Sequence, residues 1–189
     1  PITKGHIEIS KLVLDASKWA DAVWLMPANL HMSGKNMAPF EHRFNMCKIA
    51  AEVDGRIKVS SYEFDKNFKG ESYHLLNTLI HDKNFENYRF AFVVGQDNAN
   101  KIHTWYNSEE LLKLDVKFIV VPRRGVKRDP SVTWYLQKPH QFIADENRLK
   151  YQISSTMVRT AMTDGDIRVI DSCLDANVHK YILTNLLYV

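Results

Sequence analysis

The sequence predicts an α/β fold: a doubly wound, mainly parallel sheet in a single domain whose C-terminal part is helical. Short apolar runs that suit buried parallel strands alternate with amphipathic helical segments, which favours right-handed crossovers around one sheet. The 189 residues are 45% hydrophobic and 25% charged, which is ordinary for one globular domain with a sizeable core. Because no internal repeat or low-complexity linker interrupts the chain, one domain spanning residues 1–189 is the economical interpretation.

The first half of the chain predicts two helices and two strands. Ile9, Leu12 and Val13 recur at helical spacing. Residues 22–27, by contrast, form a continuous apolar run that ends at a proline, as a buried strand would. The predicted elements are, in order, a helix over 7–20, a strand over 22–27, a loop over 28–38, a helix that starts at Pro39, and a strand over 57–60.

The second half predicts three further strands between helices. Ser72 and Ser108 are candidate N-caps, since a hydroxyl can accept a hydrogen bond from a free amide at a helix start. The apolar runs at 89–95 and 116–121 are typical of buried strands, and residues 141–144 are the candidate last strand. The C-terminal third is helical and closes with an apolar stripe formed by Val178, Tyr181, Ile182 and Leu186.

Composition and spacing exclude several classes of protein. A net charge of +3 is too small to indicate nucleic-acid binding, and no apolar run reaches membrane-spanning length. Cys47 and Cys173 are far apart in the sequence, so we expect reduced thiols in a cytoplasmic protein, or a nuclear one in a eukaryote. The eight histidines form no metal-binding pattern, and neither Gly-x-Gly-x-x-Gly nor a P-loop is present. The chain starts at Pro1 rather than Met, and we expect a first strand and its turn to be missing.

Two segments near opposite ends of the chain have the composition of anion-binding helix starts. In residues 153–159, two serines and a threonine precede an apolar-periodic stretch, and Arg159 follows one helical turn later. Residues 1–6, Pro-Ile-Thr-Lys-Gly-His, place Thr3 and His6 at the start of the first helix. Taken singly, a Ser-Ser-Thr segment before a helix is usually only a helix cap, and a lone histidine at a helix start is more often a surface or cap residue than a catalyst.

Together, Thr-x-Gly-His near the start and Ile-Ser-Ser-Thr-x-x-Arg near the end resemble the adenylyltransferase branch of the nucleotidyltransferase superfamily. Further motifs in the same order resemble the nicotinamide/nicotinate mononucleotide adenylyltransferase family. They are the lysine-to-arginine stretch that begins at Lys35, Ser72-Tyr73 followed by Thr78-Leu79, Gly95-Gln96-Asp97, Trp105, Val121-Pro122-Arg123-Arg124-Gly125 and Asn185-Leu186-Leu187-Tyr188. The resemblance covers the chain from Pro1 to Tyr188 and implies a Rossmann-like fold.

The resemblance implies attack of a mononucleotide phosphate on the α-phosphate of ATP, giving NAD or deamido-NAD and pyrophosphate without a covalent intermediate. Since the attacking phosphate is already ionised, catalysis needs in-line positioning and charge neutralisation rather than a general base. By resemblance, His6 and Arg159 are catalytic, and the ATP-binding residues are Thr3, His6, Gly95, Asp97, Ser155, Thr156 and Arg159. The mononucleotide-binding residues are Lys35, Thr78, Trp105 and Arg123. Mg²⁺ is expected to arrive with ATP, without a metal site built by the protein.

The phosphate acceptor is the open part of this prediction. Trp105 suits a pyridinium ring because an indole face attracts a cation by roughly 0.5–2 kcal/mol, although it is also compatible with simple packing. Arg43 is a further candidate for a phosphate contact. His74 and Asn77 depart from the family's usual residues near Thr78, and both nicotinate and nicotinamide remain alternatives.

Two other functions remain alternatives at this point. One is a sibling adenylyltransferase with another phosphate acceptor, such as phosphopantetheine. The other is a non-catalytic nucleotide-binding module, which would keep the pocket without turnover. A homo-oligomer is compatible with all three functions.

Overall fold

The structure is a computed structural model that describes residues 1–30, 37–123, 125–144 and 153–188. Its helices are α1 (Lys4–Ala16), α2 (Phe40–Ala51), α3 (Tyr62–Asp65), α4 (Ser72–His81), α5 (Gln96–Ala99), α6 (Ser108–Lys113), α7 (Ser155–Asp164), α8 (Ile167–Cys173) and α9 (Ala176–Thr184). Its strands are β1 (Val23–Leu25), β2 (Ile57–Val59), β3 (Ala91–Gly95), β4 (Lys117–Val121) and β5 (Gln141–Phe142). Strands and helices alternate, and each strand pairing among these residues is parallel, as predicted. In this described part of the chain, every helix is too short or too polar to cross a membrane.

The chain divides into two compact units. The first contains Pro1–Asn67 and Leu149–Val189, and the second contains Phe68–Arg148. The single domain predicted for residues 1–189 therefore stays a prediction, and each unit is described by itself.

The first unit packs helices around a short two-stranded sheet. β1 and β2 pair in parallel, with Val23 opposite Ile57. The main core joins α2, α7, α8 and α9, because each of these helices turns apolar side chains inward. The buried side chains of this core are Met46, Ala50, Val158, Ala161, Ile170, Cys173, Leu174, Val178, Ile182 and Leu187. Cys47 and Cys173 are both buried and free, in agreement with the predicted reduced thiols.

The second unit is built on the parallel sheet β3-β4-β5, with β4 in the middle. β4 is the most deeply buried strand because its sequence is continuously apolar, and Phe118, Ile119 and Val120 are at most 1% exposed. Gly95, the last residue of β3, lies opposite Val121, the last residue of β4. The residues that follow these two strands therefore meet at one edge of the sheet, where α/β proteins bind their ligands.

The first helix differs most from its prediction, since α1 runs over Lys4–Ala16 rather than over residues 7–20. Thr3, in an extended conformation with φ −130° and ψ 163°, is the N-cap from which the helix begins. The apolar repeat marks only the buried face of the helix. The first apolar residue of that face comes after the first residue with helical backbone conformation. At the other end, Ser17 leaves the helical conformation with φ −108° and ψ 87°.

Three other predicted helix starts shift by one position, and the strands predicted over 22–27, 89–95 and 141–144 are shorter by up to two residues at an end. Ser72 and Ser108 are the first residues of their helices, and the N-caps are Glu71 and Asn107. Pro39, predicted as the first residue of a helix, is the N-cap of α2. The element types are confirmed, because the hydrophobic period that predicts them does not depend on where each end falls.

Candidate active site

The start of α1 carries the first pair of candidate site residues. The backbone N–H of Thr3 donates to Nδ1 of His6 at 3.1 Å, and Oγ1 of Thr3 lies 2.8 Å from the same nitrogen. Thr3 is only 3% exposed, whereas His6 is exposed. The imidazole is thus anchored through Nδ1 to the cap of its own helix and lies at the protein surface.

The start of α7 carries the second group. Ser154 is the N-cap, and its hydroxyl accepts a hydrogen bond from the backbone N–H of Met157 at 3.1 Å, a contact worth about 1 kcal/mol. Arg159 reaches back along the helix and donates from NH2 to Oγ1 of Thr156 at 3.0 Å. A hydroxyl and a cation therefore lie at the positive end of a helix, which is an arrangement that favours a bound anion.

The two helix starts lie against each other within the first unit. The hydroxyl of Ser155 donates to the carbonyl oxygen of Pro1 at 2.8 Å, across almost the whole length of the chain. Gly5 lies beside Ile153, since a Cβ added to the glycine would be in van der Waals contact with Cβ of Ile153, at 3.4 Å. These contacts place the start of α1, which carries Thr3 and His6, next to the start of α7, which carries Ser155, Thr156 and Arg159.

In the second unit, two candidates form an ion pair at the shared edge of β3 and β4. NH1 of Arg123 lies 2.7 Å from Oδ2 of Asp97. The two side chains are 45% and 32% exposed, so the pair stabilises the fold by at most about 1 kcal/mol. Asp97 was predicted to bind ATP and Arg123 to bind the mononucleotide, and their contact was not predicted. The opposite charges that follow two neighbouring strands could have indicated the ion pair.

Gly95 allows the carboxylate of Asp97 to occupy this position. A Cβ added to Gly95 would lie 2.7 Å from Oδ1 of Asp97, which is closer than a carbon and an oxygen normally approach. Gly95 has φ −69°, so the need for glycine is a matter of space and not of an unusual backbone conformation. The motif Gly-x-Asp is thus a unit in which the glycine makes room for the acid.

Trp105 and Thr78 lie on elements that surround the core of the second unit. Trp105 follows a 3₁₀ turn, is half-buried and meets the ring of Phe92 edge-on, with ring centroids 6.3 Å apart. The next residue, Tyr106, contacts His74 of α4 with ring centroids 5.1 Å apart. The segment that carries Trp105 is therefore placed beside α4, the helix that carries Thr78.

Of the basic residues expected to contact a phosphate, Lys35 lies outside the described residues. Arg43 is described, and its guanidinium donates to three backbone carbonyl oxygens, those of Ala28, Asn29 and Ala38. Burial is the main cause that lowers the pKa of Arg43. Arg43 thus binds the backbone at both ends of the predicted loop 28–38. Sequence patterns could not reveal this role, because every residue has a backbone carbonyl oxygen. Its phosphate contact stays a prediction.

The chain is similar to known proteins in both sequence and structure. Residues 1–161 match the family described as cytidylyltransferase-like. A probable nicotinate-nucleotide adenylyltransferase of Christiangramia forsetii is 30% identical over 185 residues, covering 96% of this chain and 90% of the relative. The nicotinate-nucleotide adenylyltransferase of Bacillus subtilis is 25% identical over 190 residues, covering 100% and 93%. In structure, the Plasmodium falciparum nicotinic acid mononucleotide adenylyltransferase complexed with NaAD superposes with a TM-score of 0.81 at 24% identity. The match covers 100% of this chain and 92% of the Plasmodium chain, and it confirms the predicted fold class.

Proposed function

We propose that this chain joins the AMP part of ATP to nicotinate mononucleotide. The chain belongs to the cytidylyltransferase-like family and is a relative of nicotinate-nucleotide adenylyltransferases. The products are deamido-NAD and pyrophosphate. The observation that carries the proposal is the contact between the starts of α1 and α7, made by Ser155 on Pro1 and by Gly5 on Ile153. That contact creates one electropositive region with several hydrogen-bond donors, which is what a triphosphate requires.

The proposed reaction is a single in-line displacement at the α-phosphorus of ATP. An oxygen of the mononucleotide phosphate forms the new bond, while the bond from the α-phosphorus to the oxygen bridging to the β-phosphate breaks. Pyrophosphate leaves with the electron pair of that bond. No proton has to be removed from the attacking phosphate, so positioned donors and cations suffice and a general base is not needed.

The first unit supplies the donors and the positive charge for this step. The ring of His6 donates a hydrogen bond to the reacting phosphate group, and Arg159 neutralises charge that accumulates as pyrophosphate departs. Ser155 and Thr156 contribute backbone N–H groups at the start of α7, and Thr156 also contributes its hydroxyl, since the hydroxyl of Ser155 already donates to the carbonyl oxygen of Pro1. Removing one such preorganised donor typically lowers a rate by about a hundredfold to a thousandfold.

The second unit supplies contacts to the nucleosides. The carboxylate of Asp97, given room by Gly95, accepts hydrogen bonds from the adenosine ribose. Trp105 and Thr78 receive the pyridine nucleotide, whose cationic ring is attracted to the indole face by roughly 0.5–2 kcal/mol. Arg123 contacts the mononucleotide, and Lys35 is proposed for its phosphate.

Mg²⁺ fits this donor set as a partner of ATP rather than as a resident of the protein. No group of three His, Cys, Asp or Glu side chains within the described ranges could hold a metal ion. The helix starts instead offer hydroxyls, amides and cations, which bind phosphate oxygens. Mg²⁺ bound with ATP would supply charge neutralisation on the triphosphate, while the donors of the two helix starts and Arg159 would hold the phosphate oxygens.

The proposal is tested by following pyrophosphate release from ATP and Mg²⁺ with each of three acceptors. We expect release with nicotinate mononucleotide, and formation of deamido-NAD in equal amount. Preference for nicotinamide mononucleotide would keep the reaction and change the acceptor. Release only with phosphopantetheine, or ATP binding without any release, would contradict the proposal.

His6→Ala tests the catalytic assignment. We expect kcat to fall by at least about a hundredfold with little change in ATP affinity, because a donor that acts mainly in the transition state is lost. His81→Ala is the matched control, since His81 is exposed at the end of α4 and has no proposed role in the site. Unchanged turnover of His6→Ala would remove His6 from its role.

A further inference from the structure

We propose that Thr3 is a positioning residue that fixes the tautomer and the orientation of His6, rather than a direct ligand of the ATP phosphates. The proposal rests on the proposed function for its catalytic meaning, but its structural part can be tested in the absence of turnover. It follows from the two contacts of Thr3 with Nδ1, from the burial of Thr3 and from the packing around Gly5.

The tautomer follows from the chemistry of the two partners. The backbone N–H of Thr3 can only donate, and it points at Nδ1 of His6 across 3.1 Å. Nδ1 must therefore present its lone pair, so the ring is neutral and its proton resides on Nε2. The hydroxyl of Thr3, 2.8 Å from Nδ1, adds a second donor to the same lone pair because a hydroxyl hydrogen rotates to suit its acceptor.

This tautomer gives the ring one defined role. A neutral imidazole with its proton on Nε2 is a hydrogen-bond donor on the side that faces away from the cap. It brings no full charge to the phosphates, so the positive charge of the first unit's site comes from Arg159 and from the two helix starts. The opposite tautomer would present a lone pair to a phosphate oxygen and would repel it.

The burial of Thr3 argues against direct phosphate binding by its hydroxyl. Thr3 is 3% exposed, and a Cβ added to Gly5 would lie 3.5 Å from Oγ1 of Thr3 and 3.4 Å from Cβ of Ile153. A residue this buried offers little surface to a phosphate, and its hydroxyl already has Nδ1 of His6 as a hydrogen-bond partner. His6 occupies the third helical position, from which Glu or Gln reaches back to the cap in a capping box.

The first experiment measures the tautomer directly. Long-range proton–nitrogen correlation NMR of the substrate-free protein, above about pH 8 where a free imidazole is neutral, identifies the ring nitrogen that carries the proton. His6→Ala assigns the signals by their loss. We expect a pyridine-type Nδ1 and a pyrrole-type Nε2 for His6. A protonated Nδ1, or an even mixture of the two tautomers, would overturn the proposal.

The second experiment separates positioning from phosphate binding. Thr3→Val keeps the shape and the backbone N–H but loses the hydroxyl, so we expect kcat to fall about two- to tenfold with the KM for ATP unchanged. Thr3→Ser, which keeps the hydroxyl, should restore kcat and the wild-type NMR signals. A raised KM for ATP with unchanged kcat in Thr3→Val would show a direct phosphate contact and overturn the proposal. If the wild-type protein transferred no adenylyl group, the proposed function would fail, and the tautomer measurement would decide the inference by itself.

Discussion

Gly95→Ala is expected to weaken ATP binding through the side chain of Asp97. The added Cβ would lie 2.7 Å from Oδ1 of Asp97, whereas a carbon and an oxygen usually stay about 3.3 Å apart. The carboxylate must therefore retreat by about 0.6 Å or rotate. Its other oxygen, Oδ2, lies 2.7 Å from NH1 of Arg123, so this ion pair is disturbed as well.

The magnitude differs between the free protein and its complex with ATP. The ion pair is partly exposed and contributes at most about 1 kcal/mol, so the free energy of unfolding should change little. A hydrogen bond from a ribose hydroxyl to a carboxylate is worth about 1.5–3 kcal/mol. Displacing Asp97 from it should raise the Kd for ATP by about tenfold or more, since 1.4 kcal/mol corresponds to a factor of ten.

Isothermal titration calorimetry with a non-hydrolysable ATP analogue measures the affinity, and urea unfolding measures stability. Gly55→Ala is the matched control, because a Cβ at Gly55 would meet nothing within 4 Å. In an Asp97→Ala background, Gly95→Ala should cost no further affinity, since both changes remove the same contact. An unchanged Kd for ATP in Gly95→Ala would refute the idea that Gly95 makes room for the carboxylate of Asp97. The same idea would be refuted if Gly95→Ala lowered the affinity as much in Asp97→Ala as in the wild type.

Two further predictions concern stability. Arg43→Lys should lower the free energy of unfolding by about 1–3 kcal/mol in urea, because one ammonium cannot replace a guanidinium that donates to three carbonyl oxygens. An equal value for both proteins would contradict the structural role of Arg43. His140 accepts from the backbone N–H of Phe118, and burial lowers the pKa of His140 below its ordinary value of 6.5. The wild type should therefore keep its full free energy of unfolding above about pH 6.5 and lose part of it, relative to His140→Gln, as the pH falls further. A difference in the free energy of unfolding that stays constant with pH would contradict the lowered pKa of His140.

The element types of this fold were predictable because they depend on neighbouring residues. The apolar run at 116–121 gave β4, and the polar-to-apolar change at Ser154 gave the start of α7. The apolar repeat alone placed the start of α1 at residue 7, which is late, whereas the Thr-x-Gly-His segment correctly placed Thr3 at the helix start. A hydrophobic period reports which face is buried, and capping side chains then decide where the backbone begins to turn.

Pairwise contacts in the site were less predictable because they depend on the register between strands. The charges of Asp97 and Arg123 are visible in the sequence, and both were assigned to the site. Their contact follows only once Gly95 is known to lie opposite Val121, which places the two side chains at the same edge. The pattern of the sequence predicted which loops meet, and the register of β3 and β4 determined which side chains pair.

The convergence of the two helix starts is itself a reason to expect an anion. A helix start is commonly stabilised by an acidic side chain in its first turn, yet the first turns of α1 and α7 contain none. Placing two positive helix ends together, with Arg159 beside them, is electrostatically unfavourable unless negative charge is supplied. Each start looks like an ordinary cap when considered alone. Because Ser155 and Pro1 join the two starts, we expect a polyanion to bind there more strongly than at either cap alone.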